Sequence, residues 1–288
     1  MAIKSILVPT DGRDDMQKVL EAALVVARRF ESHIMVLHVS EGTILSAREV
    51  NLPDRLQASA KIEERRILKE RADDIQHRLT AFAKRRRIAL CDPPGDQQKR
   101  VTISFHHESG NVRETLVNWA RMVDATAVMR PTHFGRFLSR GIMESNLDAL
   151  MLHSGSPILL VPPDWVAHRA QRAVVAWNQS LESSRALSVT IPWLVLMKKV
   201  TVVVPRKLHD IGHRVVEHLG RHGAKADIRI LDRRTAAVGK RLLAICKNLD
   251  ADFLVMGGYS HSRMQERVFG GVTEYVLQNS RIVTVMVH

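Results

Sequence analysis

Short apolar, β-branched runs alternate along the chain with longer stretches whose apolar residues recur every three or four positions. The runs fall near 3–9, 33–39, 100–106, 125–130 and 157–162, and again near 172–177, 199–204, 226–231, 252–257 and 282–287. Runs of this kind predict strands, and the periodic stretches between them predict helices. Their alternation predicts βαβ units on a parallel sheet. One helical stretch is long: Leu68, Ala72, Ile75, Leu79 and Phe82 share a face, and it ends in Lys84-Arg85-Arg86-Arg87. The segment after it, CDPPGDQQ from Cys91 to Gln98, is rich in turn formers and reads as a loop.

The two sets of elements repeat one another. Val112–Val161 aligns with Val238–Val287 at an offset of 126, which lays Asp124-Ala125 on Asp250-Ala251 and HSGSPILLV on NSRIVTVMV. The front ends, Ser5–Gly12 and Ala173–Ser180, correspond with Asp11 on Asn178, an offset of 167. The first copy is thus longer by 41 residues, inserted between its second and third strands. The pattern predicts an α/β protein of two tandem five-stranded parallel-sheet domains, 1–163 and 170–288, with a linker that starts at Pro162-Pro163-Asp164.

Length agrees, since 288 residues suit two domains. No stretch approaches the roughly 18 consecutive apolar residues of a membrane span. The N-terminus reads as a first strand rather than a leader, so no membrane contact and a cytoplasmic location are expected. Two cysteines, Cys91 and Cys246, exclude a disulfide framework or a zinc-thiolate site. The net charge of +13 is unevenly placed. Residues 1–168 carry 24 basic and 21 acidic side chains, residues 169–288 carry 19 and 9. The basic second half raises the local concentration of any anion.

Candidate chemistry concentrates in MGGYSHSRMQERVFGGVTEYVL, Met256 to Leu277. A strand ends at Met256, Gly257 and Gly258 follow, then a polar loop with Ser260, His261 and Arg263, then Gly270-Gly271 and a helix from Val272. Glycines let backbone approach a ligand, and a helix start offers unpaired N–H groups and the positive end of a dipole. Together these favour phosphate, to which Thr273 adds a hydroxyl. No GxxxxGK[ST] occurs, so this is not a P-loop.

In these residues the chain resembles the universal stress protein family, of the adenine nucleotide alpha hydrolase-like type. Its ATP-binding members carry G-x2-G-x9-G-[S/T] between strand four and the last helix. Here Ser260 stands for the second glycine, Gly271 for the usual Ser/Thr, and Asn178 for the early Asp, while Gly270-Gly271-Val272-Thr273 follows the family's G-S-V-T run. The resemblance implies that Asn178 lies near ribose or phosphates, and Val204 and Met256 near the base. At the offset of 126 the first copy has Pro131 for Gly257, Phe134 for Ser260, Glu144 for Gly270, Ser145 for Gly271 and Leu147 for Thr273. A Pro lacks an N–H and a Glu repels phosphate, so only the second copy is expected to bind.

The resemblance implies a stress-response sensor or regulator that binds ATP, ADP or AMP in its second domain. Slow hydrolysis or autophosphorylation would need Mg²⁺, yet no general base, paired carboxylates or Ser/His/Asp order points to an enzyme. It also implies that the last strands, Ile158–Val161 and Ile282–Val287, pair the two domains as an intramolecular pseudo-dimer, with a homodimer as a further arrangement. Two other readings stay open: an interaction scaffold or small-ligand binder, and a nucleic-acid or anionic-surface binder using the basic half. Only 5% aromatics, with no basic–aromatic interleaving, argue against nucleic acid. Lys84–Arg87 suit a helix C-terminus instead. His209 and His213, with His218 and His222 beyond, have a spacing that can share a metal. They lack the HExxH pattern or a completing carboxylate set, and read as a solvated helix face.

Overall fold

The computed structural model describes residues 3–12, 15–41, 54–91, 100–130, 142–167, 170–231, 238–258 and 271–288. The first half contains β1 (Ser5–Thr10), α1 (Met16–Phe30), β2 (His33–Ser40), α2 (Asp54–Arg86), β3 (Ala89–Leu90), β4 (Thr102–Ser109), α3 (Val112–Ala120), β5 (Ala125–Met129), α4 (Ile142–His153) and β6 (Ile158–Val161). The second contains β7 (Arg172–Ala176), α5 (Leu181–Leu194), β8 (Lys199–Pro205), α6 (His209–Arg221), β9 (Ala226–Leu231), α7 (Val238–Asn248), β10 (Phe253–Gly257), α8 (Gly271–Asn279) and β11 (Val283–Val287).

Among the described residues these strands form one sheet, ordered β3-β4-β2-β1-β5-β6-β11-β10-β7-β8-β9. Every neighbouring pair is parallel except β6 and β11, which run antiparallel where the halves meet. Leu159 faces Val285, with Leu160 on Thr284 and Ile158 on Met286 either side, so the register is symmetric about that central pair. Strand side chains alternate between faces, and both faces are covered. Ile6, Val8, Val175 and Val202 pack under α1, α2, α5 and α6, while Leu7, Leu37, Val174 and Val203 pack under α3, α4, α7 and α8.

Among the described residues the long insert shows one long helix, α2, and the short edge strand β3. Ala72, Ile75, Leu79 and Phe82 on α2 are buried, as their spacing requires, and Leu68 is half-buried. This helix occupies the place that α6 holds in the second half, between the second strand and the one paired beside it. Trp165 and Trp193 are buried packing residues, and burial pushes the Cys246 thiol up to about 12.

The ladders correct the gapless offset of 126. Asp124 accepts the N–H groups of Lys4 and Ser5 at 2.7 and 2.9 Å. The carboxylate with that role in the second half is Asp252, which accepts from Gln171 and Arg172 at 2.8 Å each. β5 and β10 therefore correspond at an offset of 128, and the strand-end bonds Arg130 N–H to Val161 and Gly258 N–H to Val287 agree. At α4 and α8 the offset returns to 126, since Ser154 and Ser280 make the same turn bonds. The two extra residues lie in α7, 11 residues against 9 in α3. Gly257 thus corresponds to Met129, not Pro131.

Unfolding measurements can check this register. Asp252→Ala and Asp124→Ala should each cost about 1–2 kcal/mol, because paired strand-start amides lose their acceptor. Asp250→Asn should cost less than about 0.5 kcal/mol, since its contact to Arg172 is an exposed ion pair. Equal costs at Asp250 and Asp252 would restore the offset of 126.

Candidate functional site

In the second half the strand order is β9-β8-β7-β10-β11, so connections leave β7 and β10 in opposite directions. Ligands in open α/β sheets bind beyond the carboxyl ends of strands at such a switch point. A cleft of ≈ 210 Å³ lies there. Its walls are Ala176, Trp177 and Asn178 after β7, Val203 and Pro205 on β8, Leu231 on β9, Val238 and Leu242 on α7, and Met256 and Gly257 on β10. Ser183 of α5 and Val272 and Thr273 of α8 complete it.

Local sequence sets each wall. Asn178 closes a turn by accepting the Ser180 N–H at 3.1 Å, and Gln179 there is left-handed at φ 69°. The first half solves the same turn with Gly12 at φ 84°. Ser180 then caps α5 by accepting the Ser183 N–H at 3.1 Å. Gly257 is demanded by packing: a Cβ there would lie 2.6 Å from the Ser183 nitrogen. Val238 and Leu242 are four apart on α7 and so face the cleft together. The start of α8 brings Gly271, Val272 and Thr273 to the mouth, where Gly271 is exposed and Thr273 buried.

Of the residues expected from sequence, Asn178, Met256, Gly257, Val272 and Thr273 line this cleft. Gly271 stands beside them at the helix start without lining it. Ser260, His261, Arg263 and Gly270 lie outside the described residues. Val204 is corrected. It points to the opposite face of the sheet, against α6, where a Cβ on Gly212 would meet its Cγ2 at 2.9 Å. Its neighbours Val203 and Pro205 take the cleft positions, as the period of two dictates. Ser183, Leu231, Val238 and Leu242 were not expected. The i, i+4 pair on α7 was the one readable signal among them.

The corresponding place in the first half is differently filled. The buried Leu147 stands for Thr273 and packs with Leu37 and Leu116, while Met129, which stands for Gly257, packs on the opposite face of the sheet. The turn after β1 is held by α2, since Arg78 donates to the Gly12 carbonyl at 2.6 Å. Beside it His38 bonds the Thr10 carbonyl at 3.0 Å and stacks on His107 with ring centroids 5.4 Å apart. Burial pushes the His38 imidazole below its ordinary pKa, against the opposing pull of that carbonyl bond.

Among the described residues no helix is long and apolar enough to cross a membrane. The chain is 22% identical over 296 residues to the universal stress protein Slr1230 of Synechocystis, covering 97% of this chain and 98% of that protein. Its fold overlaps a universal stress protein from Archaeoglobus fulgidus with TM-score 0.66 at 18% identity, over 98% and 97% of the two chains. A putative universal stress protein from Pseudomonas aeruginosa overlaps with TM-score 0.56 at 14% identity, over 99% and 93%. The model of the universal stress protein family matches residues 2–162 and 196–288. With this match over most of its length, and the tandem α/β halves that it covers, the chain belongs to the universal stress protein family.

Proposed function

We propose that this protein is a cytoplasmic stress-response regulator that binds an adenine nucleotide in its second half and not in its first. The observation that carries the reading is the cleft at the β7–β10 switch point. Its floor is apolar, from Val203, Leu231, Leu242 and Met256, which suits a flat base. Its mouth holds the first turn of α8, where the N–H groups have no intrahelical partner and suit phosphate. Asn178 stands at the rim with its amide exposed. The basic balance of the second half favours the same class of ligand.

Leu147 puts a buried apolar side chain where the second half has Thr273, which supports a single nucleotide per chain. The β6–β11 pairing supports the tandem chain acting as its own pseudo-dimer. Among the described residues that line the cleft there is no carboxylate or imidazole, and the reading is of binding rather than turnover. Any slow phosphate transfer would draw on Mg²⁺ supplied with the nucleotide.

Thr273→Glu tests this. A carboxylate at the third helical position suits the dipole of α8, so the fold should persist. It should weaken ATP at least tenfold in calorimetry, through like-charge repulsion at the cleft. Saturable ATP binding that is unchanged in Thr273→Glu would move the site elsewhere. Absence of binding by the unaltered chain would end the nucleotide reading.

A further inference from the structure

We propose that His209 and His213, one turn apart on the exposed face of α6, form a two-imidazole site for a divalent transition metal of the zinc–copper group. Their Nε2 atoms lie 3.2 Å apart. Two nitrogens about 2.0–2.1 Å from one ion, at angles between square and tetrahedral, stand roughly 2.9–3.4 Å apart. The rings cross at 77° with centroids 4.6 Å apart, so the two lone pairs converge instead of the faces stacking.

The first imidazole is already oriented. His209 Nδ1 lies 3.0 Å from the Asp210 carboxylate, which places the proton on Nδ1 and leaves Nε2 with its lone pair outward. His213 then donates from Nε2 to that lone pair, and a metal ion replaces this shared hydrogen when His213 changes tautomer. The backbone beneath is fixed. Gly212 packs directly on Val204 and Ile228, and Val215 and Leu219 are buried. The helix itself is electrically balanced, with Asp210 and Glu217 against Arg214 and Arg221.

Among the described residues no group of three or more His, Cys, Asp or Glu could hold a metal. Water therefore completes the coordination, and the site is exchangeable rather than structural. Nitrogen donors favour Cu²⁺, Ni²⁺ and Zn²⁺ over Mg²⁺ or Ca²⁺. His218 and His222 repeat the spacing, with ring centroids 4.9 Å apart, but without a nitrogen–nitrogen bond of this kind. They serve as the internal control.

The full chain, free of any histidine tag and of nucleotide, is titrated with Zn²⁺ in calorimetry near pH 7.5. A saturable site is expected that weakens at least tenfold in both His209→Ala and His213→Ala and persists in His222→Ala. Zn²⁺ should also raise the melting midpoint of the unaltered chain and not of His213→Ala. No saturable heat, or the same affinity in His213→Ala, would overturn the proposal. So would loss confined to His222→Ala. Because nucleotide is absent throughout, none of these outcomes bears on the ATP site.

Discussion

Gly257→Ala should destabilise the protein by about 3 kcal/mol, at the upper end of what one added methyl costs in a packed interior. The obstacle is backbone, not a flexible side chain. The new Cβ would lie 2.6 Å from the Ser183 nitrogen and 2.7 Å from the Glu182 carbonyl carbon. Relief requires the first turn of α5 to withdraw from the end of β10. That turn is anchored by the Ser180 cap and by the turn at Asn178, so withdrawal strains both. Denaturant unfolding should show a lower midpoint with an unchanged slope. Gly271→Ala is the matched contrast. Among the described residues a Cβ at Gly271 meets nothing within 4 Å, and Ala is the better helix former by up to about 1 kcal/mol, so that variant should hold or gain stability. A Gly257→Ala protein as stable as the unaltered one would mean that α5 is not seated against β10 in solution.

This glycine shows how far the sequence could be read. From sequence Gly257 reads as a glycine that lets a phosphate approach, but the close approach that it permits is helix to strand. One sequence position carries both demands, and only packing separates them. The strands were readable because their runs are short, β-branched and bounded; β9 falls at 226–231 as expected, and β7 and β10 agree within a residue. The face of a central strand was not readable. Lys199–Pro205 reads KVTVVVP, apolar toward both helix layers, so no alternation distinguishes Val203 from Val204. The repeat register failed for a related reason. Asp250 and Asp252 are two apart, each before an apolar residue, and composition could not say which one receives the strand-start amides. The extra turn-fraction of α7 absorbed the two residues without leaving a gap in the hydrophobic pattern.

The corrected register places Arg130 opposite Gly258, and this exchange sets the last and second-largest effect. Arg130 is buried, and its Nη1 donates to the Leu277 carbonyl near the C-terminus of α8 in the other half. Its Nε has no hydrogen-bond partner among the described residues. Burial pulls this guanidinium below its ordinary pKa, partly opposed by the Asp164 carboxylate. At Gly258 the symmetric space is taken by Met151 of α4, whose Cε would be 3.1 Å from an added Cβ. One half sends a long cation across, and the other accepts a methionine. Arg130→Ala should therefore cost about 2–3 kcal/mol, from the cavity and from the Leu277 carbonyl left without its donor. Arg130→Met fills most of the volume and removes a charge that is poorly solvated. It shares with Ala the loss of the Leu277 donor but spares the cavity, and should cost about 1 kcal/mol, clearly less than Ala. Calorimetric unfolding compares the two. If volume is what joins the halves, Ala separates their transitions and Met does not. If Met is as damaging as Ala, the charge on the α8 terminus is what joins them, and the packing account of this contact fails.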